Sequence, residues 1–137
     1  KGISNPDGWV RLDFPGGWPG DPENKFEASG RNAREQEAFE YVRTLARFRL
    51  ASSAVKTGKL MQYTPDDGVY VYFRYDDAQT VMCIMNQNDS EKTIDPSRFA
   101  ERTSGFSEAV DVVSGNKFAL NSKMNIPGKT LLVLELK

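Results

Sequence analysis

Nineteen carboxylates, eighteen cationic side chains and no histidine define the chemistry open to this 137-residue chain. Without His it lacks the commonest general base and the commonest metal ligand. Its single Cys allows no internal disulfide and no thiolate zinc site. Cys83 lies in the apolar run Val81-Met82-Cys83-Ile84-Met85. That context predicts a buried core thiol with a raised pKa, not a nucleophile. The adjacent carboxylates, Asp66 with Asp67 and Asp76 with Asp77, sit in polar turn sequence. Such pairs are solvated turn formers. A proton-donating carboxylic acid needs an apolar pocket to raise its pKa, and the flanking sequence offers none. The expected catalytic set, metal set and cofactor set within this chain are therefore all empty.

Other groups suit binding. Asp7 and Arg11 stand four residues apart in Asp7-Gly8-Trp9-Val10-Arg11. A carboxylate accepts hydrogen bonds from a vicinal diol, and a guanidinium donates to neighbouring oxygens in a planar fork. The alternative is a local clasp, with Asp7 in an Asp-Gly turn paired to Arg11; both readings stay open. Asp13 is a secondary candidate. Trp9 and Trp18, the two tryptophans, fall in the same Gly/Pro-rich stretch. One is expected to present its face to a ligand and the other to plug the loop onto a neighbour, with Trp18 as the stacking ring. Tyr70 and Tyr72 alternate with Val69, Val71 and Phe73, so the tyrosines share the face opposite the apolar set. That face is either a ligand surface or, the preferred reading, a half-buried exterior that packs on a neighbouring domain.

Three stretches must position these groups. Residues 1–31 show no sustained period, and Pro15-Gly16-Gly17-Trp18-Pro19-Gly20 cannot lie inside a helix or central strand. So long a loop implies a functional role or a missing neighbour. Residues 32–51 read as a helix: Asn32 as N-cap and Glu35 three positions on make a capping box. Phe39, Val42, Ala46 and Leu50 line one face, and Tyr41, Leu45 and Phe48 widen the apolar arc enough to imply burial on two sides. Ser52-Ser53 and Gly58 mark its stop. From residue 59 onward the signal is β, with strands expected at Lys59–Tyr63, Val69–Tyr75, Thr80–Asn86, Lys92–Ile94, Ala109–Val113, Lys117–Leu120 and Thr130–Leu136. Turn signals such as Asp67-Gly68 and Pro127-Gly128 separate them, and Pro96–Arg102 reads as a short helical turn. The fold class is mainly β: an antiparallel Greek-key β-sandwich preceded by an irregular loop and one long α-helix.

Composition bounds the partners. Net charge is -1 with no basic stripe, which argues against nucleic acid. No apolar run approaches the roughly 18 residues of a membrane helix. The chain opens Lys1-Gly2-Ile3-Ser4-Asn5, without initiator Met or signal peptide, and reads as a piece of something longer or a mature fragment.

The order loop, helix, sandwich resembles the final segment of α-amylase-family enzymes, most closely the neopullulanase and cyclomaltodextrinase branch. The run Asp7-Gly8-Trp9-Val10-Arg11-Leu12-Asp13-Phe14-Pro15-Gly16-Gly17-Trp18 carries the likeness, supported by Gly68-Val69-Tyr70-Val71-Tyr72-Phe73-Arg74-Tyr75. The resemblance implies that residues 1–57 close a catalytic (β/α)8 barrel, with the loop after strand eight and the last helix. Residues 58–137 would then form the C-terminal sandwich. Members of the family hydrolyse α-glucans such as starch, maltooligosaccharides, pullulan or cyclodextrins with retention, using a carboxylate pair about 5–5.5 Å apart. In the family those carboxylates and the site histidines lie on earlier barrel strands, and none maps onto this sequence. Many members carry Asp-Pro-x-x-Arg in the strand-eight loop, where it reaches a glucose. Asp7 and Arg11 match its spacing, with Gly8 in place of the Pro. The implied substrate-binding set is Asp7, Arg11 and Trp18, and the implied partners are the parent barrel and, through it, the glucan. A bacterial periplasmic or secreted location is the corresponding expectation. Without the barrel, the loop is expected to be mobile or to order through self-association of the fragment. A freestanding carbohydrate-binding module is the rival reading.

Overall fold

The computed structural model describes residues 13–137, which fall into two compact units, one ending at Val42 and the other running from Arg43 to Lys137. Asp7, Trp9 and Arg11 lie outside the described residues.

The first long element is α1, Ala33–Ala51. Its start is the expected capping box: the Glu35 backbone N–H donates to Asn32 Oδ1 (2.9 Å), and the Asn32 N–H donates to Glu35 Oε2 (2.8 Å). Among the described residues, none of the nineteen in this helix is fully buried, although Phe48 near its end packs in part against Ala54, Val81 and Cys83. Ser52 ends it in extended geometry (ψ 118°) and, where the sequence predicts only a stop, starts a second, short helix, α2 at Ser53–Thr57. The Ser52 hydroxyl accepts from the Val55 N–H (3.1 Å), and the Gly58 N–H closes the far end on Ala54 O (3.1 Å).

Eight strands follow: β1 Lys59–Gln62, β2 Val69–Tyr75, β3 Thr80–Asn86, β4 Lys92–Ile94, β5 Glu108–Asp111, β6 Lys117–Ala119, β7 Met124–Ile126 and β8 Thr130–Leu136. All pairings are antiparallel. One sheet has the order β1-β2-β3-β8-β5-β6; β4 and β7 form the second. The last strand therefore returns beside the third, a long connection of Greek-key kind. Strand β7 was not among the expected strands. A helical turn at Pro96–Phe99 and α3, Ala100–Thr103, occupy the segment read as a helical crossover.

The core lies between the sheets. Val69, Val71 and Phe73 of β2, Met82 and Ile84 of β3, and Leu134 and Leu136 of β8 meet Met124 and Ile126 of β7, closed by Phe99 and Leu120. Asn86 is the buried polar hub. Its amide donates to the Ser90, Ile126 and Pro127 carbonyls, each at 3.0 Å, and its oxygen accepts from the Asn88 backbone (3.0 Å) and amide (2.9 Å). Every hydrogen-bonding capacity of the side chain is used, so its burial costs little.

The β2 hairpin turns on Asp67 and Gly68, both at positive φ (46° and 70°), with reciprocal bonds between Asp66 and Val69. This two-residue geometry matches the twist of the flanking strands and favours Asp-Gly. A Cβ at Gly68 would also strike the Asn88 amide.

Candidate functional site

Residues 13–31 have no regular strand, yet their own side chains organise them. The Asp21 carboxylate accepts from the backbone N–H of Gly16 (2.7 Å) and of Trp18 (3.1 Å), closing a tight turn around the Gly-Gly pair. Gly16 has φ 103°, and a Cβ there would run into Asn24, so the turn needs glycine. The Lys25 N–H donates to Pro15 O (2.9 Å), and its ammonium contacts Glu23 (2.7 Å) and Glu35 (2.8 Å). Arg31 donates to the carbonyls of Lys25 (2.7 Å) and Phe26 (3.1 Å) and to Gln36 Oε1 (2.7 Å), while lying over the Phe39 ring at 4.0 Å. Internal anchors of this kind were not legible as period or motif. They replace the expectation of a loop organised only by a neighbour, as far as residues 13–31 are concerned.

This network bears on charge. Hydrogen bonds to Glu23 and then Glu35 raise the Lys25 pKa, and Lys25 followed by the Asn32 backbone holds the Glu35 carboxyl below its usual value. Phe14, Pro15, Ala38, Phe39 and Val42, with the Lys25–Glu35 pair and Arg31, line an apolar hollow of about 510 Å³.

Trp18 stands at the tip of the Asp21 turn with 66% of its surface exposed. Two N–H bonds to the Asp21 carboxylate fix the turn that carries it, and its side chain is largely open among the described residues. Asp13, the secondary candidate, is also exposed. Asp7 and Arg11 lie outside the described residues, so Trp18 is the one member of the expected binding set with a described position.

The tyrosine pair separates. Tyr72 is half-buried beside Cys83, Ala54 and Phe48 on the outer face of the large sheet. Burial, then the contact with Cys83, pushes its phenol pKa well up. Cys83 itself is buried, as expected, with its thiol pKa raised by desolvation. Tyr70 stacks at 5.6 Å from Tyr72, and its hydroxyl donates to Gln62 Oε1 (2.8 Å).

The adjacent carboxylates act as turn formers. Asp67 pairs with Lys92 (2.7 Å) and Asp66 with Arg98 (3.4 Å). Asp76 accepts from the Ala78 and Gln79 N–H groups (2.9 and 2.8 Å). The Ser53 hydroxyl, followed by these amides, holds it below the ordinary carboxylate range. Ser97 does the same for Asp95 at the start of the Pro96 turn. Carboxylates held in this way are stabilised as anions, the opposite of what a general acid requires.

The profile of the cyclo-malto-dextrinase C-terminal domain family matches residues 60–135, more than half of the chain. Solved structures of similar fold include an Anoxybacillus α-amylase (18% identity, TM-score 0.63, 78% of this chain) and a Geobacillus thermoleovorans α-amylase complexed with acarbose (13%, 0.63, 79%). The maltogenic amylase from S. marinus is more distant (12%, 0.54, 74%). At these identities the likeness shows the fold. The chain spans 24%, 25% and 12% of the lengths of those three proteins.

Proposed function

The chain belongs to the cyclo-malto-dextrinase C-terminal domain family, and from that premise we propose that it is a non-catalytic C-terminal portion of a longer α-glucan hydrolase. In this reading the sandwich stabilises the catalytic barrel of the parent, and the loop around Trp18 contributes a wall to its substrate cleft. The observation that carries the reading is the family match over the sandwich, joined to a helix none of whose residues is fully buried among the described residues. The carboxylates described above support it, since those with shifted pKa values are drawn toward the anion by turns, caps and ion pairs. The retaining carboxylate pair would belong to another part of the parent.

Within the cleft, the Trp18 indole would lie against the C–H-rich face of a glucose unit. Asp7 and Arg11 would hydrogen-bond to its hydroxyls. Starch, maltooligosaccharides, pullulan or cyclodextrins are the substrate class this reading implies.

Reducing-sugar release from β-cyclodextrin, measured for the 137-residue chain and for the full-length protein, tests the proposal. The full-length protein should turn the substrate over and the chain alone should not. Turnover by the chain, abolished by substituting one of its own carboxylates, would refute it. In the full-length protein Trp18→Ala should lower kcat/KM by roughly 5- to 30-fold, the equivalent of one or two kcal/mol. Tight, saturable binding of maltoheptaose by the chain alone, lost in Trp18→Ala, would favour a freestanding carbohydrate-binding module instead.

A further inference from the structure

The turn that carries Trp18 is closed by one carboxylate oxygen. Oδ2 of Asp21 accepts from the N–H of Gly16 (2.7 Å) and of Trp18 (3.1 Å), and the Asp21 N–H donates back to the Trp18 carbonyl (3.3 Å). Gly16 and Gly20 bracket the tip at positive φ, 103° and 94°. At the base, the bond from the Lys25 N–H to the Pro15 carbonyl holds the two strands of the loop together. No residue of this turn is buried among the described residues, and the Trp18 indole belongs to neither apolar core. The direction of the ring is therefore set, among the described residues, by the backbone beneath it and not by packing around it.

The other turn carboxylates of the chain behave differently. Asp76 accepts from the N–H groups of Ala78 and Gln79, Asp95 from that of Ser97, and Asp111 from that of Ser114. Each reaches two or three residues forward, the local pattern of Asp in turns and caps. Asp21 reaches backward, three and five residues, and one of its two donors is the amide of the exposed tryptophan itself. Such bonds to a carboxylate are roughly twice as strong as neutral ones.

We infer that Asp21 is a positioning residue for Trp18, acting on glucan turnover only through the orientation of that indole. The inference rests on the reading of Trp18 as a stacking wall of the cleft. A ring on an unfixed Gly/Pro loop has to be immobilised each time a sugar stacks on it, and affinity falls by that cost. Asp21 fixes the loop before the sugar arrives. The stack is remote from the bond that breaks, so it holds substrate and transition state alike, and its loss appears in KM with kcat kept.

The test is a double-mutant cycle in the full-length protein, with β-cyclodextrin as substrate. Asp21→Ala should raise KM roughly 3- to 10-fold, the factor that ordering a free side chain and its loop costs, while kcat stays within about twofold. Asp21→Asn keeps an oxygen that accepts both amides without the charge, and should fall between alanine and the native residue. Added to Trp18→Ala, either Asp21 substitution should change kcat/KM by less than about twofold, because the group it orients is gone. Effects that multiply in the double variants would show that Asp21 acts independently of Trp18 and overturn the inference. A fall in kcat that matches a loss of folded protein, with KM unchanged, would reduce Asp21 to a structural turn former and overturn it as well. If Asp21→Ala fails to fold, the cycle with Asp21→Asn decides by the same criteria. Full activity in Asp21→Ala beside a deficit in Trp18→Ala defeats this inference alone. Full activity in Trp18→Ala defeats the stacking-wall reading and this inference together.

Discussion

Helix α1 and strand β3 are opposites in how they use apolar residues. The helix spends nineteen residues and buries none, leaving Val42 64% exposed; the strand has seven residues and buries six. The helix is held by local devices, its capping box and the Lys25–Glu35 pair. The strand is held by neighbours on both edges and by apolar contacts on both faces. Isolated helices are marginal in water, and most helical stability in proteins comes from packing an apolar face. The contrast therefore separates a region with a core of its own from one whose apolar arc lies largely open among the described residues.

The comparison is broken most forcefully at Phe73, fully buried in the main core. Phe73→Ala should cost about 3–5 kcal/mol, a large part of the 5–15 kcal/mol typical of a domain. Urea unfolding followed by circular dichroism measures it; a loss below about 1 kcal/mol would mean the core is not where it is described. Ser52→Ala removes the α2 cap and the bond to Gln79, and should cost about 1 kcal/mol, within the 0.5–2 range of N-cap losses. At the other extreme, Val42→Ala in this chain should change stability by less than about 0.5 kcal/mol, as exposed substitutions do. A loss of 2 kcal/mol there would show that the chain itself covers the helix.

pH sharpens the same contrast. Burial raises the pKa of both Tyr72 and Cys83. A raised folded pKa gives stability that is whole below the unfolded value and is lost as pH climbs through the folded one. The sandwich should thus begin to weaken above about pH 8.5, the ordinary thiol value, and more steeply above about 10, the ordinary phenol value. Tyr72→Phe should flatten the alkaline limb of a stability–pH curve. Thiol labelling of Cys83 should be slow in native protein and fast in urea.

Much of the sandwich was legible in residue pattern. Val69–Tyr75, Thr80–Asn86 and Thr130–Leu136 coincide with strands, because alternation or an apolar run bounded by turn residues carries its own period, whereas Lys92–Ile94 coincides with one without such a period. Met124–Ile126 was missed. Three residues between Asn121-Ser122-Lys123 and Pro127-Gly128 are too few to show alternation, and the strand is fixed by pairing with β4 and by Asn86. The restart at Ser53 was missed because a capping serine reads the same whether a helix stops or begins there. The site was less legible. Trp18 was identified by residue type, but its presentation depends on Asp21 and on the positive φ of Gly16, which no periodicity encodes. Asp7 and Arg11 were read from spacing alone and lie outside the described residues.

Native-state hydrogen exchange on the 137-residue chain tests the central claim most directly. Amides of β2, β3 and β8 should exchange only through global unfolding, at the full stability of the sandwich. Amides in the first half of α1 should open at a much lower free energy, as local units with few buried contacts do. Equal opening free energies for α1 and β3 would contradict the account, because the helix would then already possess the core it is described as lacking.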